Sequence, residues 1–236
     1  MEKKYKLTEE TINVNGITLY RIEAVRGFAN IKKGDKGGFI EKEENLSQNG
    51  DCWVYHNAVV YGNAEVYNDA KVFEDARIYG NARVFGKAVF YGDAKVFGNA
   101  MVYGDAKVYG KAVIYGNARV FGKAVFHGDA KVYGNAMIYD NAKVFEDTRV
   151  YDNAEVFGNA EIRGDAVITS KSDYIVFKNW WSSGRYFTWT KNNNMWKVGC
   201  FYGTGKELIE KAYKDSNESG KEYEKIVKYV ESILKV

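Results

Sequence analysis

The chain has 236 residues, 46% hydrophobic and 28% charged, a balance that excludes a disordered chain and fits a folded, soluble one. Its 34 basic and 31 acidic residues leave a net charge of +3, which argues against a dedicated non-specific nucleic-acid binder. Proline is absent, glycine is frequent and tyrosine occurs 19 times, as expected of short paired strands joined by Gly turns.

The first residues, Met1-Glu2-Lys3-Lys4-Tyr5, lead into no apolar stretch, and no run approaches the length of a membrane span. A cytoplasmic protein with no membrane partner is therefore expected. Ile12–Tyr20 alternates around Asn15-Gly16, a dipeptide suited to the positive-φ positions of a type I′ turn, and predicts a β-hairpin. Gly34–Gly38 reads as a loop. Ile40, Leu46 and Cys52 then arrive six residues apart, in phase with Ala58, after and around a charged lead-in at Glu41–Glu44. Residues 1–52 are expected to cap the open strand edge of the repeat that follows. Cys52 stands where that repeat has Ala and reads as a small buried thiol; with Cys200 it makes no disulfide framework.

From Trp53 to Ala166 one six-residue phrase occurs nineteen times: variable, Val, Tyr or Phe, Gly, Asn or Asp, Ala. The Val position is β-branched except at Phe90 and Phe126, and the Ala position from Ala58 onward is broken only by Thr148. One large and one small inward side chain per six residues predict a flat strand, a tight turn and another flat strand, with the aromatic pointing outward. Arg83–Tyr103 and Arg119–Tyr139 agree at 18 of 21 positions, a shift of 36. Every third hexapeptide sharpens the pattern. One column reads Asn63, Asn81, Asn99, Asn117, Asn135, Asn153; a second Asn57, Asp75, Asp93, Lys111, Asp129, Asp147, Asp165; a third Asp69, Lys87, Asp105, Lys123, Asn141, Asn159. Residues 18 apart are therefore stacked neighbours, and three hexapeptides close a triangular coil. Residues 53–166 make a little over six coils, roughly 30 Å at about 4.8 Å per coil.

This grammar resembles the left-handed β-helix of hexapeptide-repeat proteins, across about half the chain. It departs from enzymes of that class in placing an aromatic directly after the aliphatic. The flanks Gly37–Ser47 and Trp181–Trp189 are similar to phage and prophage proteins of gut and related bacteria, a resemblance that implies no particular activity. The hexapeptide resemblance implies acyl transfer as one activity, with a His as general base and a loop interrupting the helix. The chain offers His56, in a turn position, and His127, in an outward aromatic slot, and no insertion interrupts the repeat.

The Asp column has the oxygen ligands to serve Ca²⁺ between coils; the alternative is that these carboxylates, like the Asn column, accept hydrogen bonds from turn amides. Neither a phosphate loop nor a Cys/His cluster is present, and no metal or cofactor is expected. One outer face sets Tyr61, Tyr79, Phe97, Tyr115, Tyr133 and Tyr151 beside Arg77, Lys95, Lys131 and Arg149. Bases beside aromatics suit phosphates and ring stacking, but a ladder of rings stacked on one another accounts for the same pattern. With 13 basic and 14 acidic residues in 53–166, a nucleic-acid track is not expected.

The repeat decays through Arg163, Thr169 and Ser170. Ten aromatics follow between Tyr174 and Tyr202. Tyr186–Thr190 and Met195–Cys200 flank Lys191–Asn194 and predict a hairpin. Thr204–Glu207 and Ser219–Glu222 are capping boxes that open two helices, the second with an apolar stripe of Tyr223, Ile226, Val227, Val230, Ile233 and Leu234. Trp180, Trp181, Arg185, Tyr186, Trp189, Lys191, Trp196, Lys197 and Tyr202 are the candidate binding residues, because Trp and Arg anchor recognition surfaces. The competing account makes these rings the core beneath the helices.

The chain is thus expected to be mainly β: a triangular left-handed β-helix (53–172) between an N-terminal β cap (1–52) and a small α+β C-terminal cap (173–236). The expected function is non-catalytic binding, of phage or mobile-element type, directed at a protein or a nucleotide signal of host defence. Acyl transfer and structural self-assembly are the alternatives. Homo-oligomerisation through the C-terminal cap or an aromatic face is also expected.

Overall fold

The computed structural model describes residues 2–181 and 183–234. Each hexapeptide contributes a strand of two or three residues, Val-centred, that pairs in parallel with the strand 18 residues on. Lys95–Val96 pairs with Val113–Ile114, Met101–Val102 with Arg119–Val120, and Val89–Phe90 with Lys107–Val108. Three parallel sheets result, one per side of the prism. Face 1 carries Val60, Ile78 and their successors, face 2 Val66 and Val84, and face 3 Val72 and Phe90. Both inward positions are sealed: the Val-type and Ala-type side chains form one continuous buried column. On face 3 the oversized Phe90 and Phe126 flank the smaller Val108, so large and small rungs alternate. Thr148 fits the Ala column because its hydroxyl donates to the Phe145 carbonyl (2.7 Å).

The ladder begins one coil earlier than the repeat grammar. Phe39–Ile40 pairs with Val59–Val60, Leu46 bridges to Val66, and Cys52 N–H donates to the Asn68 carbonyl (2.8 Å). About seven coils are present rather than a little over six. Ile40, Leu46 and Cys52 fill the inner positions without the Val-aromatic-Gly phrase. Gly37 and Gly38 permit this, because a Cβ at either would run into the carbonyl of Val54 or Ala58.

The turns run through a positive-φ residue. At Gly98 (φ 70°) an added Cβ would lie 3.0 Å from Gly116 N, so the backbones of successive coils approach too closely for a side chain. Where the turn is not Gly, an acid uses the position. Glu74 accepts from Gly92 N–H (2.7 Å) and Glu146 from Gly164 N–H (2.6 Å). Turn chemistry alone assigns this task to the Asn and Asp slots, but the Asn column does otherwise. Each Asn amide donates to the next along the axis, from Asn63 through Asn81, Asn99, Asn117 and Asn135 to Asn153, at 3.0–3.2 Å. Among the described residues no three His, Cys, Asp or Glu side chains are placed to hold a metal ion.

Outside, the aromatics stack into ladders on all three faces. Phe85–Tyr103 and Tyr103–Phe121 on face 2 lie 4.7 and 5.0 Å apart with rings within 4° of parallel. His127 interrupts the face 3 ladder, tilted by 40° from Tyr109 and by 65° from Phe145.

The axial hydrogen bonds have a direction. In each hexapeptide the N–H groups flanking the Val, and that of the Asn/Asp slot, donate to carbonyls of the following coil. Phe97 N–H donates to the Ile114 carbonyl at 3.0 Å, and Asn99 N–H to the Gly116 carbonyl at 2.8 Å. The first coil therefore presents carbonyls and the last presents amides. At the N-terminal end the buried Tyr5 hydroxyl donates to the Leu46 carbonyl (2.6 Å), and the buried Lys4 ammonium to those of Cys52 (2.9 Å) and Gly50 (3.2 Å). Burial draws the Lys4 pKa down. Lys4 and Tyr5 open a hairpin, Tyr5–Val14 with Ile17–Ala24, that turns at Asn15 (φ 54°) and Gly16 (φ 84°) as predicted.

At the other end stands a four-stranded antiparallel sheet, Tyr174–Lys178, Tyr186–Thr190, Met195–Val198 and Phe201–Gly203, covered by helices α1 (Gly205–Asp215) and α2 (Asn217–Ile233). The predicted hairpin is its centre, with its second strand ending at Val198, where Gly199 turns at φ 54°. Thr204 and Glu207 form the expected capping box of α1. The second helix starts earlier than predicted: Ser216, not Ser219, is its N-cap and accepts from Ser219 N–H (3.0 Å). Having just ended α1, Ser216 already has the extended backbone a cap needs.

Two substitutions separate the inner and outer ladders. Ile114→Ala should cost about 2–5 kcal/mol through a cavity in a core with no room to collapse. Asn117→Ala should cost less than about 1 kcal/mol, because its exposed neighbours regain water. Chemical denaturation of both variants measures the contrast.

Candidate functional site

The C-terminal sheet docks by supplying acceptors to the amides of the last coil. Thr188 Oγ1 accepts from Glu161 N–H (3.0 Å), the Tyr174 hydroxyl accepts from Phe157 N–H (3.3 Å), and Asp173 Oδ2 accepts from Thr169 N–H (2.7 Å) and Ser170 N–H (2.9 Å). Asn193 Nδ2 donates to Asp165 (3.1 Å), and the Tyr202 hydroxyl donates to the Arg163 carbonyl (3.2 Å). Strand Tyr186–Thr190 thereby lies against the coil at Glu161.

Beside this contact, where faces 2 and 3 of the prism meet, a cleft of about 210 Å³ opens. The solenoid lines it with Asn141, Lys143, Asn159 and Glu161; the sheet adds Arg185, Tyr186, Thr188, Lys197 and Gly199. Glu161 is its one acid and is surrounded by bases. Its Oε1 lies 2.9 Å from Arg163 Nε and 3.3 Å from Lys197 Nζ, and its Oε2 lies 4.0 Å from Lys143 Nζ. The Lys197 side chain is only 8% exposed, and its ammonium also donates to the Gly199 carbonyl. Arg185 lies along Gly199 and, among the described residues, has no carboxylate within 4 Å. The wall is net positive, with two carboxamides and the partly exposed Tyr186 ring beside it. The volume suits a phosphate or carboxylate group rather than a whole ligand. Among the residues lining it, no nucleophile is paired with a base.

Of the sequence candidates, Arg185, Tyr186 and Lys197 meet in this cleft. Trp180 is 82% exposed and stands with half-buried Trp181 at a separate shallow groove along α2, beside Phe177, Ile226 and Tyr229. The indole N–H of Trp181 is buried without an acceptor. Lys191 sits at the exposed hairpin tip. Trp189 and Trp196 are corrections: both are buried with Phe187, Leu208, Val227 and Val230, so they are the core under the helices. Trp189 Nε1 donates to Asn194 (2.9 Å). Tyr202 is a docking residue, hydrogen-bonded to the last coil. Neither His56 nor His127 lines the cleft; both are exposed, His56 in a turn at φ 52°.

The solenoid half of the cleft was not anticipated. Its signal lay in the third column, which changes from Asp and Lys to Asn141 and Asn159 as it nears the cap, and in Glu161 at a position held by Lys or an apolar residue in the preceding coils.

The family model described as the YdcK beta solenoid repeat matches residues 76–92 and 112–128, two segments 36 residues apart, or two coils. The chain is similar to that family in its repeat, and together with the coil geometry the match identifies a β-helix repeat protein. Comparison with curated proteins finds no match. No helix among the described residues is long and apolar enough to cross a membrane.

Docking through Tyr174 carries a pH signature. Burial pushes its phenol up to about 12, from an ordinary 10.0. Between pH 10 and 12 the unfolded chain releases a proton that the folded chain keeps, so this contribution is whole below pH 10 and is lost as pH rises through 12. Stability measured by denaturant should fall over that window, and Tyr174→Phe should flatten the fall while lowering stability at pH 8 by about 1 kcal/mol.

Proposed function

We propose that this chain is a non-catalytic binding protein of phage or mobile-element type, and that its junction cleft takes the anionic group of a nucleotide signal of host defence. The observation that carries the reading is Arg185, an unpaired guanidinium beside Lys197 and Lys143 at a cleft sized for one phosphate. Tyr186, 37% exposed at the rim, offers a flat ring to the remainder of such a ligand. The uninterrupted solenoid supports binding over catalysis, and the flanking segments Gly37–Ser47 and Trp181–Trp189 support the phage-type origin. Such a protein would act in the host cytoplasm, by sequestering its ligand.

A protein target is the second reading, and Trp180 favours it. An indole 82% exposed beside Tyr229, with Ile233 and Leu234 also exposed at the end of the same helix, has the composition of an interface anchor. Self-association through this helix belongs to the same reading.

The readings separate in one experiment. The protein is recovered from a bacterial lysate and analysed by native mass spectrometry for retained small molecules and for bound proteins. A retained nucleotide, lost or weakened about tenfold or more in Arg185→Ala and Lys143→Ala, would support the cleft. A protein lost only in Trp180→Ala would favour the second reading. Neither ligand nor partner would count against both.

A further inference from the structure

The even total charge of the solenoid conceals a segregation along its axis. Residues 76–131, about three coils, hold nine Lys or Arg and three Asp. Residues 53–75 hold one Lys against four acids, and residues 132–166 three bases against seven acids. All nine bases of the middle section are exposed, and among the described residues only Arg83 has a carboxylate within 4 Å (Glu65, 3.6 Å).

The bases are densest at the corner between faces 2 and 3. Lys87 and Lys123 stand two rungs apart, about 10 Å, with Asp105 on the rung between them. Lys107 follows on face 3, and with Val125 these residues line an open groove of about 400 Å³. Arg119, also unpaired, lies across the neighbouring ladder. The rings of that ladder, Phe85, Tyr103 and Phe121, are stacked face to face, so each covers its neighbour's π surface and only edges face outward. Single strands gain much of their affinity by stacking bases on open ring faces, and none is open in this ladder. A duplex keeps its bases inside and displays phosphates outward, so it needs only cations held at a rigid surface.

We infer that this corner, centred on Lys87, Lys107 and Lys123, binds the phosphate backbone of a nucleic-acid duplex without regard to sequence. The acidic coils on either side confine the contact to the middle of the rod. The surface is distinct from the Arg185 cleft and does not depend on the proposal made for it.

Fluorescence anisotropy with a labelled DNA duplex of about 20 base pairs, titrated with the full chain between about 50 and 200 mM salt, tests the inference. Three to four phosphate contacts predict a slope of about −3 for log K against log salt. Lys87→Gln/Lys107→Gln/Lys123→Gln should weaken binding at least about tenfold at the low-salt end and flatten that slope. Asp105→Asn, which removes the one acid, should tighten binding about two- to fivefold. Arg185→Ala should leave duplex binding unchanged, which separates this surface from the cleft. Absence of binding at the low-salt end, full affinity in the triple variant with an unaltered circular dichroism spectrum, or tighter binding of oligo-dT or polyglutamate than of the duplex would each overturn the assignment.

Discussion

Every coil of this protein depends on hydrogen bonds to the coils above and below, because a two-residue strand cannot satisfy its own backbone. The constraint is a register of eighteen: the Val, aromatic, turn and Ala of each hexapeptide must fall over the same positions of the next coil. Once that holds, the rest is repetition. Val and Ala fill the axis, aromatics stack outside it, and Asn side chains form a ladder of their own along one corner. The bonds also give the rod two chemically different ends. Carbonyls face outward at the first coil, and the cap there provides donors, a lysine and a tyrosine hydroxyl. Amides face outward at the last, and the cap there provides acceptors: Thr188, Tyr174 and Asp173. A fully buried lysine is costly in most settings. Here Lys4 has three donors and no acceptor, and meets an end made of carbonyls.

The same regularity decides where binding chemistry can reside. Rings stacked on rings and Asn amides bonded to Asn amides have spent their recognition capacity on their neighbours. What remains available lies where the pattern fails. One such place is the junction with the cap, where Glu161 draws three bases together and Arg185 adds another. Another is the middle of the rod, where exposed bases outnumber the acids within reach.

The fold was legible in the sequence to the degree that it repeats. Three columns of turn residues revealed the eighteen-residue coil, and the alternation of Val and aromatic revealed inside and outside. The extra coil at residues 37–52 escaped because Ile40, Leu46 and Cys52 satisfy the packing requirement without the rest of the phrase. The role of the Asn column was misjudged for a related reason: local turn chemistry favours Asn as an acceptor for its own backbone, whereas stacking every 18 residues offers a better partner from the next coil. In the C-terminal cap the same composition served two purposes. Trp189 and Trp196 cannot be told from Trp180 by residue type, and only the placement of α1 and α2 over the sheet decides which rings are covered. The cleft was half visible, since Arg185, Tyr186 and Lys197 stand close together in the chain, while Lys143 and Glu161 arrive from coils whose height in the stack only the fold reveals.

The match between the two segments 36 residues apart bears on how such a rod comes to have its length. Each coil meets only its neighbours, and the two caps recognise only the first and last. Gain or loss of an eighteen-residue unit in the middle would leave every remaining bond with an equivalent partner. Length is then a quantity that duplication can adjust without disturbing either end. Two coils carrying nearly the same 21 residues, Arg83–Tyr103 and Arg119–Tyr139, have the form such an event would leave in the chain.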